Sequence, residues 1–281
     1  MLKIWAVFFC FIFFFISGSL NAKLVIRASN GNEIVYSDEK VGSNTDPHAW
    51  SKIYFVNRGQ KYDLSRGDRY YTENGSSKVS PSGKYLKIIS ISGGYVTLED
   101  GTETYTDRAY CSVVDMDNGC IVSDWDGEAC SYNWAEDKDV LSEYPDGSGE
   151  KFDFLSLRPK MKISHNPLST YSLFDINNLL RCDAPGQRNI NEYQRLINKN
   201  PNAKNPVSSA VKKYLNSLKA SLVISGNTPL YASPDSNAKT KAYLIADDRV
   251  KVIQFSKDSN WINIGYINSK GMPLITWIKR D

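Results

Sequence analysis

The sequence contains few of the side chains that most enzymes use for catalysis. Histidine occurs twice, at His48 and His165, and both positions lie in polar segments typical of turns. A hydrolytic triad needs a nucleophile, a positioned base and a third group, and the G-x-S-x-G, H-E-x-x-H and P-loop motifs are all missing. Carboxylates are too numerous to single out a glycosidase pair. We therefore expect a protein that is not an enzyme, with no catalytic residue and no cofactor.

Long apolar runs are also missing, with one exception at the start of the chain. Residues 4–16 form an unbroken apolar run, which Lys3 precedes and the small residues of 17–22 follow. A membrane-spanning helix needs about 20 apolar residues, so this shorter run is typical of a signal peptide over residues 1–22. An uncleaved N-terminal anchor is the alternative. We expect a periplasmic or secreted protein without a stable membrane anchor after cleavage.

Cysteine is scarce, and four of the five cysteines fall outside the apolar run. An even number of cysteines in an exported chain indicates disulfide bonds, here among Cys111, Cys120, Cys130 and Cys182. Three connectivities are open. The turn-rich segment between Cys120 and Cys130 favours a clipped hairpin, which would leave Cys111 to pair with Cys182. A zinc site is the alternative, but the spacings lack a short C-x-x-C knuckle, so no metal is expected.

Charge is unevenly distributed along the chain, although the net charge is only +3. Residues 115–153 hold twelve acidic residues against two lysines, whereas residues 186–281 hold fifteen Lys and Arg against six Asp and Glu. A preformed negative patch speeds the capture of a basic partner. We therefore predict that an acidic region binds a protein partner through Asp115, Asp117, Asp124, Asp126 and Glu128. Docking of this region on the basic third of the same chain is the alternative.

The same carboxylates alternate along the chain, as oxygen ligands do in calcium loops. Neither Asp115-x-Asp117 nor Asp124-x-Asp126 continues with the glycine and closing glutamate of an EF-hand. Asx-stabilised turns produce the same pattern, so a weak calcium site stays open at this point.

The basic C-terminal third has no recognisable nucleic-acid reader motif, and an exported chain rarely meets nucleic acid. We expect no nucleic-acid partner. A solvated face, or contact with an anionic cell-wall or membrane surface, accounts for the excess of positive charge.

Short strands dominate the first part of the chain. Between residues 23 and 110, apolar or alternating runs are separated by turn signals such as Asn30-Gly31 and Ser92-Gly93-Gly94. The acidic stretch 135–150 has few apolar anchors and is predicted to be a long loop.

Helical spacing begins later in the chain. It occurs at 172–181 and again between 189 and 220, where Asn200-Pro201 and Asn205-Pro206 separate two helices. The predicted organisation after the signal peptide is a β-rich domain over 23–185, a helical connector over 186–220 and a small barrel over 221–281. The fold class is therefore mainly β.

The last 61 residues, 221–281, are predicted to contain five or six short strands separated by turn residues. Their aromatic and turn spacing resembles the bacterial SH3 (SH3b) family, at Pro229-Leu230-Tyr231, Tyr243-Leu244-Ile245, Asp247-Asp248, Val250, Val252, Asn260-Trp261-Ile262, Ile264, Tyr266 and Thr276-Trp277-Ile278-Lys279. The resemblance implies a small β-barrel that binds peptides, cell-wall fragments or protein partners. The ligand groove would be lined by Tyr231, Tyr243, Trp261 and Tyr266. Of these, Tyr231 and Trp261 are expected to be the more exposed, and Trp277 is expected to fill the core.

These observations lead to two main functional hypotheses. The first is an exported, non-enzymatic binding protein whose SH3b-like domain recognises a peptide, peptidoglycan fragment or protein. The second is a periplasmic inhibitor or immunity protein that neutralises a secreted bacterial toxin enzyme through the acidic region. An enzyme with an unrecognised site is a third.

Overall fold

The structure is a computed structural model that describes residues 24–41, 48–72, 79–126, 130–161 and 168–280. The signal-peptide prediction for residues 1–22 lies outside these residues, as do His165 and Glu128. The described chain is mainly β, with α-helices and disulfide bonds, which confirms the predicted class.

One large antiparallel sheet forms the N-terminal half. Its strands are β1 (Leu24–Arg27), β2 (Glu33–Val41), β3 (His48–Asn57), β4 (Gln60–Asp63), β5 (Tyr70–Thr72), β6 (Tyr85–Thr97), β7 (Glu103–Asp115) and β8 (Cys120–Asp126). They lie in the order β1-β2-β3-β5-β6-β7-β8, with β4 paired to β3. Because side chains alternate between the two faces, one face buries a core that contains Tyr36, Trp50, Phe55, Leu86 and Val114.

A second, smaller sheet packs on the other side of β6 to β8. Its strands are β9 (Asn133–Trp134), β10 (Leu141–Ser142) and β11 (Lys151–Phe152). Trp134 and Leu141 share a core with Tyr85 of β6 and with Phe154 of a short 3-10 helix. The segment 135–150, predicted to be a long loop, has no strand or helix except Leu141–Ser142, which forms β10 and whose Leu141 joins this core.

Three α-helices follow, at positions close to those predicted. They are α1 (Leu173–Cys182), α2 (Ile190–Lys199) and α3 (Lys204–Ser217). The side chain of Ser172 caps α1, and Asp175 returns the bond to the backbone of Ser172. Asn178 of α1 both donates to and accepts from the backbone of Ile121, so the helix occupies part of the free edge of β8.

The C-terminal sheet contains β12 (Ser221–Val223), β13 (Thr228–Tyr231), β14 (Lys239–Leu244), β15 (Arg249–Phe255), β16 (Trp261–Ile267) and β17 (Pro273–Lys279). Five or six strands were predicted here, and the structure has six. Their order is β12-β15-β16-β17-β13-β14, an open path in which the described strands show no pairing between β12 and β14. The pairing of the described strands therefore does not close this sheet into a barrel. The sheet buries Leu230, Leu244, Val250, Ile264 and Ile278 on one face.

The other face of this sheet is covered by α2 and α3. A side chain at Gly265 of β16 would collide with Leu215 of α3, and the side chain of Gln194 in α2 accepts the backbone N–H of Ile275 at 3.0 Å. Ile275 joins a core with residues of all three helices. The sequence left open where the predicted connector packs. In the structure, α2 and α3 and the C-terminal sheet share one hydrophobic core.

Candidate functional site

The four aromatic residues predicted to line an SH3b groove do not form one surface. Trp261 was expected to be exposed, but it is buried at 6% exposure and packs edge-to-face on Tyr231, with 4.8 Å between ring centroids. Alternate residues of a strand face opposite sides, so Trp261 shares with Asn263 and Gly265 the face that the helices cover. The expectation that Trp261 contacts a ligand is therefore wrong. Trp277 is buried, as expected.

Tyr266 and Tyr243 lie elsewhere. Tyr266 is at the opposite end of β16 from Trp261, on the other face, and its hydroxyl donates to a carboxylate oxygen of Asp248 at 3.2 Å. Tyr243 is 62% exposed and contributes to a groove of about 250 Å³ with Pro229, Lys239 and Lys241. The structure thus places Tyr243, one of the predicted groove residues, in an open groove.

The acidic residues predicted to bind a partner are largely engaged inside the protein. Asp115 is 3% exposed, and its carboxylate accepts from Arg158 at 2.8 Å and from the backbone N–H of Asp117 at 3.0 Å. Asp124 accepts from Arg69 and Ser112, each at 2.8 Å. The prediction that Asp115 and Asp124 form a partner surface is therefore wrong, because neighbouring strands and loops bring arginines onto them.

The remaining members of the predicted acidic region are divided. Asp117 is exposed and accepts from the side-chain amide of Asn30 at 2.9 Å. The side chains of Asp126 and Glu128 lie outside what the structure describes. Among the described residues no cluster of three or more His, Cys, Asp or Glu side chains is arranged to hold a metal ion.

The cluster around Asp124 is compact and partly apolar. Arg69 stacks on the ring of Tyr110 at 3.6 Å, and the backbone N–H of Arg66 donates to the hydroxyl of Tyr71. Burial raises the pKa of Tyr71 to about 12. This cluster ties β5, β7 and β8 together. Its closed packing indicates a structural role.

The four predicted cysteines form two disulfide bonds, but with a different connectivity. Cys111 pairs with Cys130, and Cys120 pairs with Cys182. The expected Cys120–Cys130 clip is wrong, because Cys120 is the first residue of β8 and Cys130 follows the other end of this strand. In contrast, α1 lies beside β8 and brings Cys182 to Cys120. Cys111 lies in β7 opposite Trp125, near the end of β8 that leads to Cys130.

The far end of the β6–β7 hairpin is exposed on both of its strands. We call residues 93–107 the arm. β5 pairs with β6 only as far as Ile91, and β8 pairs with β7 only as far as Tyr110, so within the described strands the arm pairs with nothing but itself. All residues of the arm are exposed. At about 3.3 Å per residue, the hairpin extends roughly 20 Å beyond Ile91.

The arm presents apolar side chains and negative charge to solvent. Tyr95 and Tyr105 face each other across the two strands, with ring centroids 5.5 Å apart, and they are 73% and 52% exposed. Val96 and Leu98 are about half exposed. The arm has no Lys, Arg or His, and its four carboxylates belong to Glu99, Asp100, Glu103 and Asp107.

Local hydrogen bonds shape the tip of the arm. Asp100 accepts from the hydroxyl and the backbone N–H of Thr102, at 2.6 and 2.9 Å, and these bonds hold the pKa of Asp100 below its ordinary value. Gly101 has φ +81°, which favours glycine. The Tyr105 ring lies over Gly93, where any Cβ would collide with the Tyr105 hydroxyl.

Sequence reasoning missed the arm because Ser92-Gly93-Gly94 was predicted to be a turn. In the structure these residues lie inside β6, and the strand continues through them. The signal that identifies the arm is the matched spacing of Tyr95 and Tyr105 about the Asp100-Gly101 turn.

His48 is the first residue of β3, and its side chain, like all of His165, lies outside what the structure describes. None of the helices in the described ranges is long and apolar enough to cross a membrane. No protein-family model matches the chain, and no curated protein matches it.

Proposed function

We propose that this protein is a non-enzymatic binding protein that acts outside the cytoplasm and captures a protein partner with the arm. The observation that carries the proposal is the exposure of Tyr95 and Tyr105 on an isolated hairpin. A two-stranded hairpin is marginally stable by itself in water. A partner that covers the arm would therefore stabilise it.

The side chains of the arm are suited to an interface. Tyrosines bury a large apolar area and keep a polar hydroxyl at the contact, and they are enriched at binding hot spots. Val96, which follows Tyr95 in the same strand, adds exposed apolar area on the opposite face of the hairpin, and Leu98 adds more near the tip. Exposed apolar patches with a polar rim are a recurrent mark of protein-binding surfaces.

The charge of the arm defines the partner. Four carboxylates surround the tyrosines without a basic residue between them. Complementary charge speeds association and excludes wrong partners. The partner is therefore a protein with a positively charged, concave surface that is wide enough for a two-stranded hairpin.

This chemistry favours the inhibitor hypothesis in a revised form. A projecting hairpin that enters a basic cleft can block the active site of a secreted enzyme, such as a bacterial toxin, without any catalytic residue of its own. The two disulfide bonds indicate an oxidising, extracytoplasmic environment. Export through a signal peptide at residues 1–22 is part of the proposal.

The test is site-specific photo-crosslinking in cells that produce the full chain. A benzoylphenylalanine replaces Val96 in the arm, and a matched variant carries it at Tyr144, an equally exposed residue of the acidic segment between β10 and β11. We expect one basic protein to be cross-linked at position 96 and not at 144, and to bind the purified chain at one-to-one stoichiometry. Cross-links at both positions, to many proteins, or only to a second copy of this chain would contradict the proposal.

A second candidate function rests on the groove beside Tyr243. Its exposed ring, Pro229 and the ammonium groups of Lys239 and Lys241 are suited to a peptide with a carboxylate, such as a peptidoglycan stem. This is the SH3b hypothesis moved from the buried Trp261 to the β13–β14 hairpin. Sedimentation with purified sacculi distinguishes the two. Retention that Tyr243→Ala abolishes and that Tyr95→Ala leaves unchanged would favour the second function.

A further inference from the structure

A second charged surface lies on α3, far along the sequence from the arm and opposite to it in sign. An open groove of about 460 Å³ runs along this helix, and its lining is entirely polar or basic apart from Met272. Three lysines line it, Lys204, Lys212 and Lys213. Lys212 also approaches the turn at Gly271, where a Cβ would lie 3.8 Å from the ammonium nitrogen, and this turn carries Lys270. We call these four residues the lysine face.

Among the described residues, no carboxylate lies within ion-pair distance of the lysine face. The sequence of α3 contains no Asp or Glu, and no acidic side chain lines the groove. Positions four residues before and after Lys212 hold Ser208 and Asn216, where a stabilising carboxylate would be expected on a surface helix. In the part of the chain that the structure describes, the ion pairs include none of these four lysines.

Lys204 is an exposed cation close to the N-terminal end of α3. A 3-10 turn over Pro201–Ala203, capped by the side chain of Asn200, leads directly into the helix. Because positive charge near a helix N-terminus is mildly unfavourable, the ammonium group of Lys204 is not placed there to stabilise the helix.

The geometry is that of a surface rather than of a pocket for one small anion. Lys204 and Lys213 are nine residues apart on one helix, which separates them by roughly 14 Å along the axis. The groove is shallow and open, and its lysines are exposed or half-buried. By helix geometry Lys204 and Lys213 also lie about half a turn apart around the axis, so they border the open groove on opposite sides. Lysines spread in this way match several anionic groups rather than one. A membrane with anionic lipids presents many such groups side by side. Each basic residue near its surface raises the partition coefficient of the protein about fivefold.

From this face we infer that the protein binds peripherally to an anionic phospholipid surface through Lys204, Lys212, Lys213 and Lys270. The binding is electrostatic and reversible. It is independent of the arm, because the two surfaces share no residue.

The test is sedimentation of the full chain with vesicles of phosphatidylcholine containing 40 mol% phosphatidylglycerol, against pure phosphatidylcholine. We expect binding to the anionic vesicles only, and loss of it at high salt, where charges are screened. Lys212→Gln with Lys213→Gln should lower the partition coefficient by roughly 30-fold. The control, Lys257→Gln with Lys279→Gln, removes the same charge from exposed positions of the C-terminal sheet and should have little effect.

Several outcomes would overturn the inference. They are equal binding to neutral vesicles, an equal loss in both double variants, and displacement from vesicles by millimolar inorganic phosphate at constant ionic strength, which would indicate a discrete phosphate site. Tighter binding to duplex DNA than to vesicles at the same salt would identify a nucleic-acid surface instead. Circular dichroism confirms that each variant keeps its helices.

Discussion

Arg158 donates a hydrogen bond to the buried carboxylate of Asp115 at 2.8 Å and a second one to the backbone carbonyl of Cys182 at 3.2 Å. One side chain thus links the end of β7 to the disulfide-bonded end of α1. Replacement of Arg158 by Met leaves the Asp115 carboxylate buried without its cation. We expect a loss of about 3–5 kcal/mol in the free energy of unfolding, measured by urea denaturation.

Two controls separate this ion pair from charge effects in general. Arg195→Met removes a surface pair with Glu192 on α2 and should cost about 0.5 kcal/mol or less. Adding Asp115→Asn to the Arg158→Met variant removes the unpaired charge and should recover part of the loss. If Arg158→Met costs no more than Arg195→Met, the internal pairing of Asp115 is wrong.

The two disulfide bonds should contribute unequally. Cys120–Cys182 spans 62 residues and Cys111–Cys130 spans 19. The chain-entropy model gives about 4 and about 3 kcal/mol, respectively. We expect the double alanine variant of the first pair to unfold at lower urea than that of the second, and peptide mapping without reduction should recover these two pairs. Recovery of a Cys120–Cys130 peptide would refute the connectivity.

The docking of α3 on the C-terminal sheet is tested at Gly265. Gly265→Ala introduces a methyl group against Leu215 and should destabilise the protein by about 1–3 kcal/mol through overpacking. Leu215→Ala removes the obstructing side chain, so the two substitutions should be coupled in a double-mutant cycle. Gly226→Ala meets no atom within 4 Å and serves as the control. Additive losses would mean that α3 does not pack on β16.

The buried phenol of Tyr71 predicts alkaline sensitivity. Its pKa is raised to about 12, against 10.0 for the unfolded chain, mainly by burial. The unfolded state therefore loses its proton first, and the stabilisation present below pH 10 declines as the pH rises to about 12, by at most about 3 kcal/mol. Tyr71→Phe should flatten this decline in urea titrations at pH 8, 10 and 11. If the free energy of unfolding of Tyr71→Phe fell with pH as steeply as that of the wild-type chain, Tyr71 would not be the cause of the decline.

The local structure could be predicted from the sequence where apolar residues repeat with the spacing of a strand or of a helix. The strands of the C-terminal sheet and the helices at 172–181 and 189–220 follow from alternating and helical spacing, because each buries one side against the core. The cysteine count predicted disulfide bonds. It did not predict their pairing, which depends on α1 lying beside β8.

The candidate site was harder to predict, because exposure is a tertiary property. Asp115 and Asp124 look like surface charges, yet their arginine partners lie 43 and 55 residues away in the chain. Trp261 is adjacent to a turn but lies on the face that α2 and α3 cover. The arm was missed since two successive glycines favour a turn, whereas here Gly93 gives room for the ring of Tyr105.

The arm should also exchange amide protons faster than the base of the same hairpin. Within the described strands, its pairing is confined to the two strands of the hairpin, so local opening should be frequent. We expect weak protection for residues 95–105 and strong protection near Ile88 and Val113, by hydrogen exchange with mass spectrometry. Addition of the partner should protect the arm. Uniform protection along β6 and β7 in the free chain would contradict an isolated arm.

The central claim, that the arm binds a basic protein partner, is tested most directly by the affinity of the cross-linked partner for arm variants. Calorimetry with the purified partner should show that Tyr95→Ala with Tyr105→Ala weakens binding at least about 30-fold, whereas Tyr144→Ala leaves the affinity unchanged. Neutralising Glu103 and Asp107 with Gln and Asn should slow association and reduce its dependence on salt. An unchanged affinity for the double tyrosine variant, with its fold intact, would contradict the account.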